Sequence, residues 1–90
     1  MIYAEKIKMK SGYYSSQTLE EIDEIYLSGI GFCKKADIHE YVKAHPNSIH
    51  VKRYPYPALI PAISSRGERY VRSNPDKYRH DDLLDLPRVL

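Results

Sequence analysis

The sequence predicts a small α+β domain. A mainly antiparallel sheet of about four strands carries one helix, over about residues 35–44, on one face, in the order β-β-α-β-β. Three observations carry that expectation. Apolar and polar residues alternate with a period of two in "IYAEKIKM", "SIHVKRY" and "ERYVRS", as half-buried strands do. A single stretch, "CKKADIHEYVKAH", has apolar residues at helical spacing. Ninety residues make one domain, 1–90, and a chain this size buries only about 60–65% of the surface its unfolded form exposes, so its core is thin.

In chain order, the first strand sets Tyr3, Glu5, Ile7 and Met9 on one side and Ile2, Ala4, Lys6 and Lys8 on the other, with Lys6 and Lys8 toward solvent. "SGYYSS" interrupts it with turn-forming residues. Residues 18–27 support two readings. Thr18 followed by Glu21 matches a helix capping box, and Leu19, Ile22 and Ile25 have helical spacing. The end of the same stretch instead puts Ile25 and Leu27 on one face of a strand. "SGIG", 28–31, is a turn. The helix that follows carries Ala36, Ile38, Tyr41 and Val42 near one stripe, with Asp37 near its positive end and Lys43 near its negative end. It should stop at His45, because Pro46 disfavours helical backbone in the residue before it.

Ile49 and Val51 then point inward from a strand, with His50 and Lys52 outward. Residues 54–67 are expected to be a proline-rich loop. "PYPALIP" holds three prolines in seven residues, which bars it from a sheet interior and leaves an extended loop or edge segment. Glu68–Ser73 is the last strand, with Tyr70 and Arg72 facing opposite to Val71.

Fourteen basic and twelve acidic side chains give a net charge of +2, too balanced to imply nucleic acid by itself. Nine tyrosines, one phenylalanine and no tryptophan suit shallow cores and wet interfaces. The single cysteine, Cys33, excludes an internal disulfide. No secretory signal is evident, and no apolar run approaches the ~20 residues of a membrane span, so a cytoplasmic protein without a membrane partner is expected.

No catalytic or metal site is expected. His39, His45, His50 and His80 are scattered, and Cys33 has no second cysteine to share a metal with. Cys33 and His39 resemble a nucleophile and base, but no third group is in place to orient the histidine. The adjacent acids Glu20/Glu21, Asp23/Glu24 and Asp81/Asp82 would point to opposite faces of a strand rather than across a cleft. No cofactor motif is present; "SGIG" is too short for a phosphate loop. The candidate interaction surface is basic and aromatic: Lys52, Arg53, Tyr54 and Tyr56 before or within the proline-rich segment, and Arg66, Arg69 and Arg72 after it. If the flanking strands pair, these residues share one face.

The C-terminus reads Tyr70-Val71-Arg72-Ser73, then Asn74-Pro75-Asp76, then Asp81-Asp82-Leu83-Leu84-Asp85-Leu86-Pro87. This resembles the signature of a bacterial family of small domains, domain of unknown function 3892. Tyr70, Pro75, Asp76, Asp81, Leu83, Leu84, Leu86 and Pro87 fall on that signature. Asp82 stands where the family has Asn, and Lys77 where a turn glycine is common. The resemblance implies strands near 2–9, 22–28 and 48–53 and a helix near 35–44, which tips Ile22 onward toward a strand. It implies no catalytic residues. The expectation is a non-enzymatic bacterial or phage-borne accessory domain acting through a protein partner or as a homodimer. Nucleic-acid binding through the basic and tyrosine surface is the alternative. The tail itself is expected to close the fold: a turn at 73–76, a capped helical turn near Asp81 or Asp82, buried leucines, and Arg72 paired with a following aspartate.

Overall fold

A computed structural model describes residues 1–76 and 79–90, so the Lys77 position noted above lies outside the described residues. The chain is an α+β domain with one helix, α1 (Lys35–Ala44), on a sheet that is larger and more mixed than expected. The strands are β1 (Ile2–Met9), β2 (Ile22–Leu27), β3 (Gly31–Lys34), β4 (Ile49–Val51), β5 (Ile60–Ile63), β6 (Arg69–Arg72) and β7 (Arg88–Val89). Five of them form one sheet in the order β3-β2-β1-β4, with β7 also on β1, while β5 and β6 make a separate two-stranded hairpin.

The expected four-stranded, mainly antiparallel β-β-α-β-β arrangement is therefore corrected. β1, β2 and β3 form an antiparallel meander, but β4 and β7 both pair with β1 in parallel. The helix explains the parallel strand. A crossover by one helix returns the chain to the end of the sheet it left, so β4 must run in the same direction as β3, and hence as β1. β3 has no counterpart among the expected strands, since the sequence places a turn at 28–31 and a helix from about 35. It has four residues, and it enters α1 with no intervening loop.

Two bulges change which residues face the core. Ala4 pairs with Leu27 and Lys6 with Tyr26, so Glu5 is an extra residue in β1. The expected facing of β1 fails across this point: Ala4 and Ile7 are both buried, three residues apart, and Tyr3 is not. On β2, Lys8 pairs with Glu24 but Met9 with Ile22, leaving Asp23 extra. Ile22 and Ile25 then both point inward. That bulge produces the three-residue spacing that imitates a helix in the sequence. Only Leu19–Glu21 is helical, as a 3₁₀ turn, and Thr18 makes no side-chain cap.

The helix has the expected limits, with His45 as its C-cap. Its buried face is Lys35, Ile38, His39 and Val42 rather than the expected stripe, and Tyr41 is exposed. His39 is buried because its Nδ1–H donates to the Tyr70 carbonyl at 2.9 Å, tying α1 to β6. The core between sheet and helix comprises Ala4, Ile7, Met9, Ile22, Ile25, Leu27, Ile38, Val42, Ile49 and Val51, and Leu59, Val71, Leu83, Leu84 and Leu86 complete it. Tyr70 and Val71 are both buried, since β6 contacts α1 as well as the Leu19–Glu21 turn.

The 54–67 segment is not wholly a loop. Leu59 is buried and donates its N–H to Ile49 O at 2.8 Å, so the chain folds back along the outer edge of β4 before entering β5. Pro61 sits in β5 opposite Val71, a place open to proline because a two-stranded hairpin leaves each strand one unpaired edge.

The tail forms the expected latch. Asp81 caps the 3₁₀ turn Asp82–Asp85 by accepting from Leu83 N–H. Leu83, Leu84 and Leu86 are buried. Ile7 N–H then donates to Pro87 O at 2.9 Å as β7 joins the sheet. Among the described residues Arg72 makes no ion pair with an aspartate, contrary to expectation; its Nε–H donates to Asn74 O at 2.6 Å. Arg88 was not singled out in the sequence. Its guanidinium donates to the carbonyls of Tyr14, Ser16 and Leu84, binding the tail to the 13–16 turn. No helix among the described residues is long and apolar enough to cross a membrane.

Candidate functional site

The expected basic surface divides into three parts, because β4 pairs with β1 while β6 pairs only with β5. Lys52, Arg53, Tyr54 and Tyr56 stay together at a corner beyond β4. Arg66 lies at the turn of the β5–β6 hairpin, and Arg69 and Arg72 lie along β6. Most of these cations already have partners. Lys52 Nζ is 3.1 Å from Glu5, Arg53 Nε is 3.4 Å from Asp85 and 3.9 Å from Asp82, and Arg69 is 3.1 Å from Glu40. Of the five cations, Arg66 alone makes no side-chain hydrogen bond or ion pair among the described residues; its backbone N–H donates to Ser64 Oγ.

The corner is held by its backbone. Val51 N–H donates to Pro57 O, Arg53 N–H to Val51 O and Tyr56 N–H to Arg53 O, at 2.7–2.9 Å. The Tyr54–Pro55 bond is cis, and Tyr56 occupies left-handed backbone at φ 61°. His50 Nδ1–H donates to Tyr56 O at 2.8 Å, while its Nε2 faces Asn47 O at 3.1 Å. These contacts array three rings edge to face, with centroids 6.1 Å apart for Tyr3 and Tyr56 and 6.2 Å for Tyr54 and Tyr56. Tyr54 is 83% exposed. Tyr3 belongs to this cluster but was missed, since it reaches the corner only through the β1–β4 pairing. A second aromatic pair, Tyr26 and Phe32, lies 5.2 Å apart on the solvent face of β2 and β3, with Lys6 Nζ 5.1 Å from the Tyr26 centroid.

A polar cluster lies between the hairpin turn and the Leu19–Glu21 turn. Glu68 accepts from Lys35 Nζ at 2.9 Å and from Lys10 Nζ at 3.1 Å, and Lys35 also donates to Glu20 O. The hydrogen bonds from Lys35 and Lys10 hold the Glu68 carboxyl below its ordinary pKa, against a smaller opposing effect of desolvation. The hydrogen bond to Glu68 raises Lys10. The stabilisation by Glu68 is therefore complete above the ordinary glutamate pKa and is lost as pH falls through the lowered folded value. That by Lys10 is lost only as pH rises through its raised value. Glu68→Gln should cost about 1 kcal/mol at neutral pH and no more, because Glu68 is 39% exposed and solvent screens it. Urea denaturation across pH checks this: the difference between wild type and variant should vanish in acid.

The third feature is an apolar groove of about 280 Å³ where α1 and the sheet separate, lined by Ile2, Leu27, Ile30, Cys33, Asp37, Ile38, Tyr41 and Ile49. Burial, and then the charges of Asp37 and Glu24, push the Cys33 thiol above its ordinary pKa, so it is a thiol rather than a thiolate at neutral pH. His39 is committed to Tyr70 O and faces Glu40, so it is not a base poised for Cys33. Among the described residues no three His, Cys, Asp or Glu side chains are grouped to hold a metal ion. No protein-family model, curated protein or solved structure matches this chain.

Proposed function

We propose that this is a non-enzymatic protein-interaction module whose contact surface is the corner formed by Tyr3, Lys52, Arg53, Tyr54 and Tyr56. The observation that carries the reading is a largely exposed tyrosine, Tyr54, on a backbone already fixed by hydrogen bonds. Interface anchors are typically tyrosine, tryptophan and arginine in preformed settings, and a pre-ordered segment loses less entropy on binding. The C-terminal resemblance to a bacterial family with no established activity supplies no catalytic residues and is consistent with this.

The paired cations argue against the nucleic-acid alternative. Phosphate binding draws on free lysines and arginines, whereas Lys52 and Arg53 here are matched to Glu5, Asp82 and Asp85. A paired charge still serves at a protein interface, where it sets orientation at the rim.

A photoreactive phenylalanine analogue at position 54, and separately at Ile63 on the hairpin, tests the proposal in cells that express the protein. Protein adducts are expected from position 54 and not from 63, with sedimentation across concentration distinguishing a second copy from another partner. Adducts from both positions alike, or from neither, would overturn it. So would salt-dependent oligonucleotide binding at micromolar protein that Lys52→Ala and Arg53→Ala abolish.

A further inference from the structure

The groove between α1 and the sheet has a chemistry of its own, apart from the tyrosine corner. Its floor and walls are the aliphatic side chains of Ile2, Leu27, Ile38 and Ile49, with the neutral Cys33 thiol beside them. Its mouth holds Ile30, which is 59% exposed in the β2–β3 turn, and the exposed ring of Tyr41. Asp37 is its one acidic lining residue; it is exposed, at the mouth, and has no ion pair or side-chain hydrogen bond among the described residues. The nearest lysines in sequence are engaged elsewhere: Lys34 with Asp23 and Glu24, Lys35 with Glu68 and Glu20 O. Asp37 and Cys33 line the same groove, and after burial the Asp37 charge is the next cause of the raised Cys33 pKa.

We infer that this groove is a binding site for a small amphipathic amine, an apolar chain or ring that fills the floor with a single cationic head at Asp37. The size sets the scale of the ligand. Drug-sized sites run to about 300–1,000 Å³, and this groove, at about 280 Å³, lies just below that range. Charge sets the sign, since an unpaired carboxylate at an apolar mouth attracts a cation and repels an anion. The Tyr41 ring, which packs against His45 at 4.8 Å between centroids, adds an aromatic surface at which an ammonium group is favoured.

Hexylamine and hexanoate share an apolar tail and carry opposite charges, so their comparison isolates the role of Asp37. Each is titrated into the isotopically labelled protein while backbone amide shifts are followed. Saturable shifts around Leu27, Cys33, Ile38 and Tyr41 are expected, with hexylamine bound about tenfold more tightly than hexanoate. Asp37→Asn should bring the two ligands level. Ile30→Trp, at an exposed turn position, should block both while leaving the fold intact, as judged by the unchanged amide spectrum elsewhere. Absence of saturable shifts up to about 10 mM amine overturns the site. A preference for amine that survives Asp37→Asn overturns the assignment of the cationic head.

Discussion

Replacing Asp81 with alanine should cost about 3–5 kcal/mol, enough to bring the domain close to the edge of folding. Asp81 is 2% exposed. Its carboxylate accepts four hydrogen bonds: Ser73 N–H at 2.8 Å, Ser73 Oγ–H at 2.6 Å, Asn74 N–H at 3.0 Å and Leu83 N–H at 2.9 Å. It therefore joins the end of β6 to the start of the C-terminal 3₁₀ turn. Alanine leaves these donors without their acceptor, and a buried donor left unmet costs about 1–3 kcal/mol. The effects do not add fully, because the turn can open and admit water. A domain of ninety residues has a total stability of roughly 5–13 kcal/mol. The urea midpoint should fall sharply with the slope unchanged. Asp81→Asn keeps an oxygen acceptor and should lose less. A loss below about 1 kcal/mol for alanine would mean that water already serves these donors.

The same residue shows what a sequence can convey. A cap at Asp81 or Asp82 was legible because an acid before a leucine run is a local signal, whereas the choice of Asp81 and its bonds to Ser73 and Asn74 depend on how the intervening chain returns. The helix limits were legible for a similar reason: ten residues of consistent pattern end at a proline. The stretch from Ile22 to Leu27 was not, because the Asp23 bulge gives a strand the spacing of a helix. The bulge at Glu5 is equally silent, since Tyr3 and Ala4 are each compatible with either face.

The basic surface shows a different limit. Charges in the second half of the sequence suggested one patch, but their neutralising partners, Glu5, Glu40, Asp82 and Asp85, are distant along the chain and become neighbours only on folding. The apolar groove left no signal at all. It takes its walls from every strand of the main meander, from β4 and from α1, and none of those residues is unusual where it stands. Short-range pattern thus identifies elements, while sites assembled from several elements emerge only from pairing and register.

Leu83→Ala should cost about 3–4 kcal/mol and Leu84→Ala about 2–3 kcal/mol. Both side chains lie in the same 3₁₀ turn, but Leu83 is fully enclosed while Leu84 retains 7% exposure. Truncating a leucine forfeits the transfer energy of the lost carbons and leaves a cavity, and the penalty grows with how little the surroundings can close in. Leu83 sits against a core braced by the sheet, whereas Leu84 is nearer the surface and its site can partly relax. The ordering tests the latch more sharply than either value alone. A tail that merely rested on the domain would give small and equal losses, and a tail free to bind elsewhere would give none. Large losses in the expected order would mean that the last ten residues belong to the cooperative core. In that case the tail cannot be displaced by a partner without unfolding the sheet edge at Ile7, where Pro87 O receives its hydrogen bond. Thermal or urea denaturation of the two variants, run side by side, decides between these outcomes.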